Sequence, residues 1–171
     1  MSGTAPIIVA AELGVADFAW LDRLRREHFP SERNLLPAHL TLFHHLPPSL
    51  LPELDARLRA GMRATARPAV TIGEPMLFGR GVALRVRSMA LETLREEWAE
   101  AFAGSLIPQD AAAWRPHVTI QNKAEPDTAR RLHDALKRDF PRPRPLAVTS
   151  VAIHYYRDGP WELIRRYRFA G

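Results

Sequence analysis

Two stretches of the sequence carry the same pattern, Pro37–Leu42 (PAHLTL) and Arg115–Ile120 (RPHVTI). In each stretch a histidine, an apolar residue, a threonine and a second apolar residue follow closely after a proline. Side chains alternate between the two faces of a β-strand, so the histidine and threonine of each stretch share one face. The repeat predicts two equivalent strands, each presenting an imidazole and a hydroxyl above an apolar layer.

Strands and helices alternate along the chain outward from these two motifs. In the first half, the predicted elements are a buried strand at Ile7–Ala11, a helix from Asp17 to about His28, a strand at His39–His45 and a helix from Ser49 to about Arg63. In the second half, the predicted elements before the second motif are short strands at Val70–Ile72, Met76–Phe78 and Val82–Val86, a helix from Ser88 to about Ala103 and a loop at Pro108–Pro116. The elements from the second motif onward are a strand at Val118–Asn122, a helix from Pro126 to about Phe140, and strands near Leu146–Tyr156 and Trp161–Phe169.

The surroundings of the two motifs are alike. Each motif strand follows a proline-containing loop and precedes a helix that is bounded by proline. This layout favours two similar lobes over a doubly wound sheet. Because the sequence contains no long linker or low-complexity segment, residues 1–171 are expected to form a single domain.

The composition is that of a folded protein, with 46 % hydrophobic and 25 % charged residues. The absence of cysteine excludes disulfides, thiolate catalysis and sulfur-ligated metal sites. The net charge of +5 suits an anionic ligand, although a genome rich in arginine codons explains the overall arginine bias better than selection for nucleic-acid binding. We find neither a signal-peptide pattern nor an apolar run of membrane-spanning length, and therefore expect a cytoplasmic protein with no membrane partner.

Histidine and threonine in these positions suit acid–base chemistry on a phosphodiester. One imidazole can remove a proton from the attacking oxygen while the other protonates the leaving oxygen, because the unperturbed pKa of histidine is about 6.5. Threonine hydroxyls can hold the non-bridging oxygens as charge develops on them. We therefore predict His39, His117, Thr41 and Thr119 as catalytic residues that require no metal and no other cofactor.

His44 and His45 follow the first motif and, with His39, invite comparison with a metal site. Adjacent residues of a strand point to opposite faces, however, and no carboxylate lies nearby in sequence to complete a zinc site. We therefore expect no metal ligands among these histidines.

The doubled His-x-Thr-x pattern resembles the signature of the two-histidine phosphoesterases, which include the 2′-5′ RNA ligases and the RNA 2′,3′-cyclic phosphodiesterases. The terminal hairpin at residues 155–161 (YYRDGPW) also looks like that of bacterial members. The resemblance implies an α+β fold of two pseudo-symmetric lobes of antiparallel sheet, with outer helices around a central cleft. It also implies that His39 protonates the leaving ribose oxygen and that His117 activates water, with the two roles exchanged in ligation.

Three further residues are candidates for substrate binding. Many RNA cyclic phosphodiesterases of this family carry an arginine shortly after the second motif, where this chain has Lys123. Lys123 has the strand parity of His117 and is expected to supply a point charge to the phosphate. Phe43 and Tyr155 are candidates for stacking on a base, although core packing is the more frequent use of such residues.

The expected function is that of a metal-independent phosphodiesterase that opens 2′,3′-cyclic phosphate ends of RNA or nucleotides, a reaction that could be reversible as 2′-5′ RNA ligation. One alternative is a cyclic phosphodiesterase for small nucleotides of the ADP-ribose type, and another is an RNA-binding module without turnover. Use of RNA predicts a basic track beyond the cleft and an affinity that falls with salt. No obligate protein partner is evident from the sequence.

Overall fold

Helices and strands alternate through residues 4–171, the part of the chain that the computed structural model describes. The strands are β1 (Ile7–Leu13), β2 (Leu40–Leu46), β3 (Thr71–Phe78), β4 (Gly81–Arg87), β5 (His117–Gln121), β6 (Arg144–Pro145), β7 (Val148–Tyr155) and β8 (Glu162–Arg168). The α-helices are α1 (Val15–His28), α2 (Leu51–Ala64), α3 (Met89–Ala101), α4 (Pro108–Ala111) and α5 (Pro126–Asp139). Residues 1–3 of the expected 1–171 domain lie outside the described residues.

The strands form two four-stranded sheets, in the orders β2-β1-β7-β8 and β5-β4-β3-β6. Every pairing within the sheets is antiparallel. The predicted α+β fold of two antiparallel lobes is therefore confirmed. One copy of the motif lies at β2, an edge strand of the first sheet, and the other at β5, an edge strand of the second sheet. These two strands contact each other between the lobes.

Amphipathic helices cover the outer faces of the sheets. Along α2 the residues Leu54, Leu58 and Met62 recur every four positions and are fully buried, and α2 packs on β8. In α5 the buried residues Ala129, Leu132 and Leu136 follow the same helical spacing, and this helix packs on β3 and β4. Each buried leucine stabilises the fold by about 2 kcal/mol.

The second predicted lobe differs from expectation in two details. Strands expected at Val70–Ile72 and Met76–Phe78 are one continuous strand, β3, in which Glu74 has a positive φ of 42° and produces a bulge. The sequence around Gly73 and Pro75 resembles a strand end but encodes this bulge. The predicted loop at Pro108–Pro116 contains the short helix α4. Within residues 4–171, no helix has the length and apolar character needed to span a bilayer.

Candidate active site

The two motifs meet at a cavity of about 150 Å³ between the edge strands. His39 and Thr41 approach from the first lobe, and His117 and Thr119 from the second. The structure thus brings all four predicted catalytic residues together, although the motif histidines and threonines come from two separate sheets. The rest of the cavity wall is formed by Ile8, His44 and Trp161.

The two histidine rings are held in the same way. Nδ1 of His39 lies 2.8 Å from the carbonyl oxygen of Pro37, and Nδ1 of His117 lies 2.7 Å from that of Arg115. A carbonyl oxygen only accepts, so Nδ1 must be the protonated nitrogen of each neutral ring. Nε2 of each histidine is thereby left to accept a proton from a substrate or, when protonated, to donate one.

A β-bulge follows the threonine of each motif. In β2, Thr41 pairs with Ala10 but Phe43 pairs with Val9, so the intervening residue is an extra one. In β5 the same shift separates the pairings of Thr119 and Gln121. A bulge reverses the facing of the residues beyond it. The two lobes therefore share the bulge as well as the motif.

The bulge in β2 overturns the expectation that Phe43 stacks on a base. Phe43 is fully buried, and the guanidinium of Arg95 lies 4.4 Å from the centre of its ring. Strict alternation would place Phe43 on the cleft face, but the extra residue turns it into the core and turns His44 to the cavity. Sequence parity alone could not reveal this change.

The expectation for Tyr155 is also wrong. This tyrosine is 7 % exposed and belongs to the hydrophobic core, where its ring is not available to a base. The aromatic residue at the cavity is instead Trp161, whose ring centre lies 4.8 Å from that of His39 in an edge-on arrangement. Trp161 comes from the β7–β8 turn. The sequence offers this tryptophan as a possible stacking residue but favours a role in hairpin pairing.

Lys123 lies beside the cavity, but not for the predicted reason. Strand β5 ends at Gln121, and Lys123 has a positive φ of 60°, so strand parity with His117 does not apply. Lys123 lines an adjoining pocket of about 260 Å³, which shares His39 and Thr119 with the central cavity. We call this the cationic pocket, because Arg25, Arg33 and Lys123 line it. The other lining residues are Phe29, Leu35, Leu36, His39, Thr119 and Asn122.

Arg25 is a site residue that sequence reasoning missed. It is buried on α1, donates from Nη1 to the carbonyl oxygen of Thr119 at 2.8 Å, and donates from Nη2 to Asn34 at 3.0 Å. Burial lowers the pKa of Arg25 to about 10, which leaves it charged at neutral pH. The available signal was an arginine on the apolar stripe of a predicted helix, because such a residue needs a buried partner.

The environment of His39 favours its neutral form. Burial is the main influence that lowers the pKa of His39 to about 4, and the charge of Arg25 acts in the same direction. The hydrogen bond to the carbonyl of Pro37 opposes these effects without cancelling them. At neutral pH the ligand-free protein therefore holds His39 as an imidazole with a proton on Nδ1 alone.

His44 has a carboxylate partner that is distant in sequence. Asp110 is 1 % exposed and accepts hydrogen bonds at 2.9–3.0 Å from Nδ1 and the backbone N–H of His44 and from the backbone N–H of His45. Burial acts to raise the pKa of Asp110, but these hydrogen bonds outweigh it and the pKa is lowered. No carboxylate lies near His44 in the sequence, yet the fold supplies one from Asp110. Among residues 4–171 no group of three or more histidines and carboxylates is arranged to hold a metal.

Comparisons with known proteins identify one family and one fold. A model described as 2′-5′ RNA ligase superfamily matches residues 14–160. Similar solved structures include a phosphoesterase, at 18 % identity and a TM-score of 0.62 over 98 % of this chain and 99 % of that one. The protein TT0787 of Thermus thermophilus has the same identity and TM-score over 97 % of this chain and 98 % of its own. LigT of E. coli in its apo form is 20 % identical, with a TM-score of 0.59 over 98 % of each chain.

Structural likeness at these identities shows the fold alone, and no curated protein sequence gives a significant match. The family model, by contrast, spans most of the chain and both copies of the motif. The chain therefore belongs to the 2′-5′ RNA ligase superfamily, the two-histidine phosphoesterases.

Proposed function

We propose that this protein is a phosphodiesterase that opens 2′,3′-cyclic phosphates of RNA ends or nucleotides, with His39 and His117 as its acid–base pair and no metal in the reaction. One observation carries the proposal. Two imidazoles with fixed Nδ1–H donors line a single cavity together with two threonines. An in-line displacement at phosphorus needs a base for the attacking oxygen, an acid for the leaving oxygen and donors for the non-bridging oxygens, and these four side chains can supply them.

In the proposed reaction a water molecule attacks the phosphorus and one histidine takes its proton. A new P–O bond forms, the bond from phosphorus to one ribose oxygen breaks, and the other histidine protonates that oxygen. The product is a ribose phosphomonoester. Thr41 and Thr119 donate hydrogen bonds to the non-bridging oxygens, whose charge grows in the transition state.

The low pKa of His39 supports the base role for this histidine in the ligand-free protein, with His117 as the acid. This assignment reverses the one that family resemblance implies. A phosphodiester with a p-nitrophenyl leaving group distinguishes the two, because p-nitrophenolate departs without a proton. We expect His117→Asn to regain activity on that substrate relative to a 2′,3′-cyclic nucleotide, and His39→Asn to remain inactive. The opposite result would return the acid role to His39.

The cationic pocket supports a nucleotide as substrate. Arg25 and Lys123 offer positive charge beside His39. The Phe29 ring also lines the pocket, with the guanidinium of Arg25 4.6 Å from its centre. The guanidinium of Arg25 is held by its hydrogen bonds to Thr119 and Asn34, so its positive charge stays fixed beside the pocket. LigT of E. coli, a structural relative at 18 % identity, has been crystallised with 3′-AMP and with phosphate.

A second groove favours RNA over a small nucleotide. It has a volume of about 710 Å³ and includes Arg67, Arg166 and Arg168 in its wall. Arg166 forms an ion pair with Glu12 of β1. Glu12 lies on the same face of β1 as Ile8, which lines the central cavity, so the groove and the cavity open on one face of the sheet. A cyclic-phosphate end in the cavity would leave the preceding nucleotides free to reach these arginines.

Salt dependence tests the RNA assignment. The double variant Arg67→Gln, Arg168→Gln should weaken binding of a cyclic-phosphate-ended oligonucleotide and flatten its salt dependence. Hydrolysis of a 2′,3′-cyclic mononucleotide should not change. If the oligonucleotide binds the variant and the wild type equally, the small-nucleotide alternative is favoured.

The central experiment is hydrolysis of 2′,3′-cyclic nucleotides and of a short cyclic-phosphate-ended RNA in the presence of EDTA. Wild type should turn over, while His39→Asn and His117→Asn should each lose about 1000-fold in rate. Asparagine retains a donor near the position of Nδ1 and so keeps the local fold. His45→Asn is the matched control, since the side chain of His45 is exposed and follows the motif in the same strand. Binding of RNA without turnover by wild type would instead support the inactive RNA-binding module.

A further inference from the structure

The cavity contains a third histidine that neither motif includes. His44 follows Thr41 by three positions, beyond the bulge, and its side chain lines the central cavity. Asn122 holds the equivalent position after Thr119 and lines the cationic pocket. The pseudo-symmetry of the lobes thus provides each motif with a third polar residue at the cleft.

Asp110 determines which nitrogen of His44 faces the cavity. Its carboxylate is buried and accepts from Nδ1 of His44 at 2.9 Å. A carboxylate in this position keeps the proton on Nδ1 and leaves Nε2 as the nitrogen that a ligand can reach. The His44 side chain is 37 % exposed, so it is a wall of the cavity rather than a core residue.

A network of buried contacts fixes this pair. Arg95 donates from Nη2 to the backbone oxygen of Asp110 at 2.8 Å and from Nε to that of Leu42 at 3.1 Å. The backbone N–H groups of His44 and His45 already bind the carboxylate and would hold the bulge without an imidazole. The additional hydrogen bond from Nδ1 therefore serves to orient the imidazole ring, because the bulge is already held by the backbone hydrogen bonds.

We propose that His44 is a third substrate-contacting histidine, which as an imidazolium donates a hydrogen bond from Nε2 to a non-bridging phosphate oxygen, and that Asp110, which accepts from Nδ1, is its positioning residue. The inference rests on the proposed function in one respect, namely that a phosphate group occupies the cavity. It assigns His44 to neither proton transfer nor metal binding. Loss of Nε2 should weaken the hold on phosphate while leaving the acid–base pair in place.

Direct phosphate binding provides the test, with inorganic phosphate as the probe and histidine-ring 1H–15N spectra as the readout. In wild type, the ring signals of His44 should shift as phosphate is added. His44→Asn retains a donor for Asp110 but lacks the nitrogen at the cavity, and its dissociation constant for phosphate should rise about tenfold or more. His45→Asn, on the exposed neighbour, should bind phosphate like wild type.

Asp110→Asn tests the positioning role separately. An amide that donates toward Nδ1 should move the ring proton of His44 to Nε2, and the 15N shifts report that change even if affinity falls for other reasons. A ring tautomer and a phosphate affinity that both stay as in wild type after the carboxylate charge is removed would contradict the positioning role.

Two results would overturn the assignment of His44. One is unchanged phosphate affinity in His44→Asn, and the other is a His44 ring in wild type that does not respond to phosphate. Neither readout depends on turnover. A wild-type protein that binds phosphate through His44 but hydrolyses no cyclic phosphate would refute the proposed function and leave this inference standing.

Discussion

The lowered pKa of His39 leads to a measurable dependence of stability on pH. The pKa of this histidine is about 4 in the folded protein, whereas an exposed histidine in the unfolded chain has a value near 6.5. Between these values the unfolded chain binds the proton more readily. Stability should therefore be fully present above about pH 6.5 and decline as the pH falls toward 4.

The size of the effect follows from proton linkage. Between about pH 7.5 and about pH 5, a shift from 6.5 to about 4 removes about 2 kcal/mol of unfolding free energy. Other titrating groups also contribute, so the quantity to measure is the difference between wild type and His39→Asn. Asparagine keeps a donor for the Pro37 carbonyl but does not titrate, so its stability should fall less by about 2 kcal/mol over that interval.

Urea unfolding at the two pH values measures this difference, in a buffer without phosphate so that the cavity stays free of anion. Histidine-ring 1H–15N titration gives the pKa of His39 directly, with His39→Asn used to assign the signal. If wild type and variant lose equal stability between the two pH values, or the ring titrates near 6.5, burial does not lower the pKa of His39. The base role proposed for His39 in the ligand-free protein would then lose its support.

Four other changes test separate parts of the structure. Arg95→Met leaves two buried carbonyl oxygens without donors and should lower the unfolding free energy by about 3 kcal/mol in urea, whereas a loss below about 1 kcal/mol would contradict this. Gly81→Ala would press a Cβ into the backbone oxygen of Gln121 on β5 and should destabilise the protein by about 2 kcal/mol, measured by thermal unfolding. Lys123→Ala should raise KM for a cyclic nucleotide about tenfold with little change in kcat, and an unchanged KM would remove it from the binding site. Trp161→Ala should expose the His39 ring and raise its pKa toward 6.5, as ring titration would show.

The arginines of α1 and α3 link the motif strands to these helices. Arg25 on α1 donates to the backbone of Thr119 in the second motif, and Arg95 on α3 donates to that of Leu42 in the first. Helix α1 lies between the two strands of the first lobe in sequence but packs on β5 of the second. The backbone of each motif is thus held by an arginine that lies on a helix. The positions of the site residues therefore depend on how these helices pack against the sheets.

Local sequence patterns locate most of the elements and pair the residues that we propose for the site. Strand alternation placed His39 with Thr41, and His117 with Thr119, because a period of two is a local property of the extended backbone. Apolar spacing with proline and glycine located most helices and strands, and Ser88 caps α3 as its position predicts, accepting from the N–H of Leu91.

The residues beyond the two threonines are placed by tertiary contacts. The bulges that bury Phe43, turn His44 to the cavity and precede the end of β5 arise from pairing with neighbouring strands, which no local pattern specifies. The partner of His44 is 66 residues away along the chain, and the contact of Arg25 with Thr119 spans 94 residues. The low pKa of His39 likewise depends on burial between the lobes. The bulges, the distant hydrogen-bond partners and the pKa of His39 depend on which remote groups the fold brings together. The histidines and threonines of the two motifs, in contrast, can be recognised from their local spacing alone.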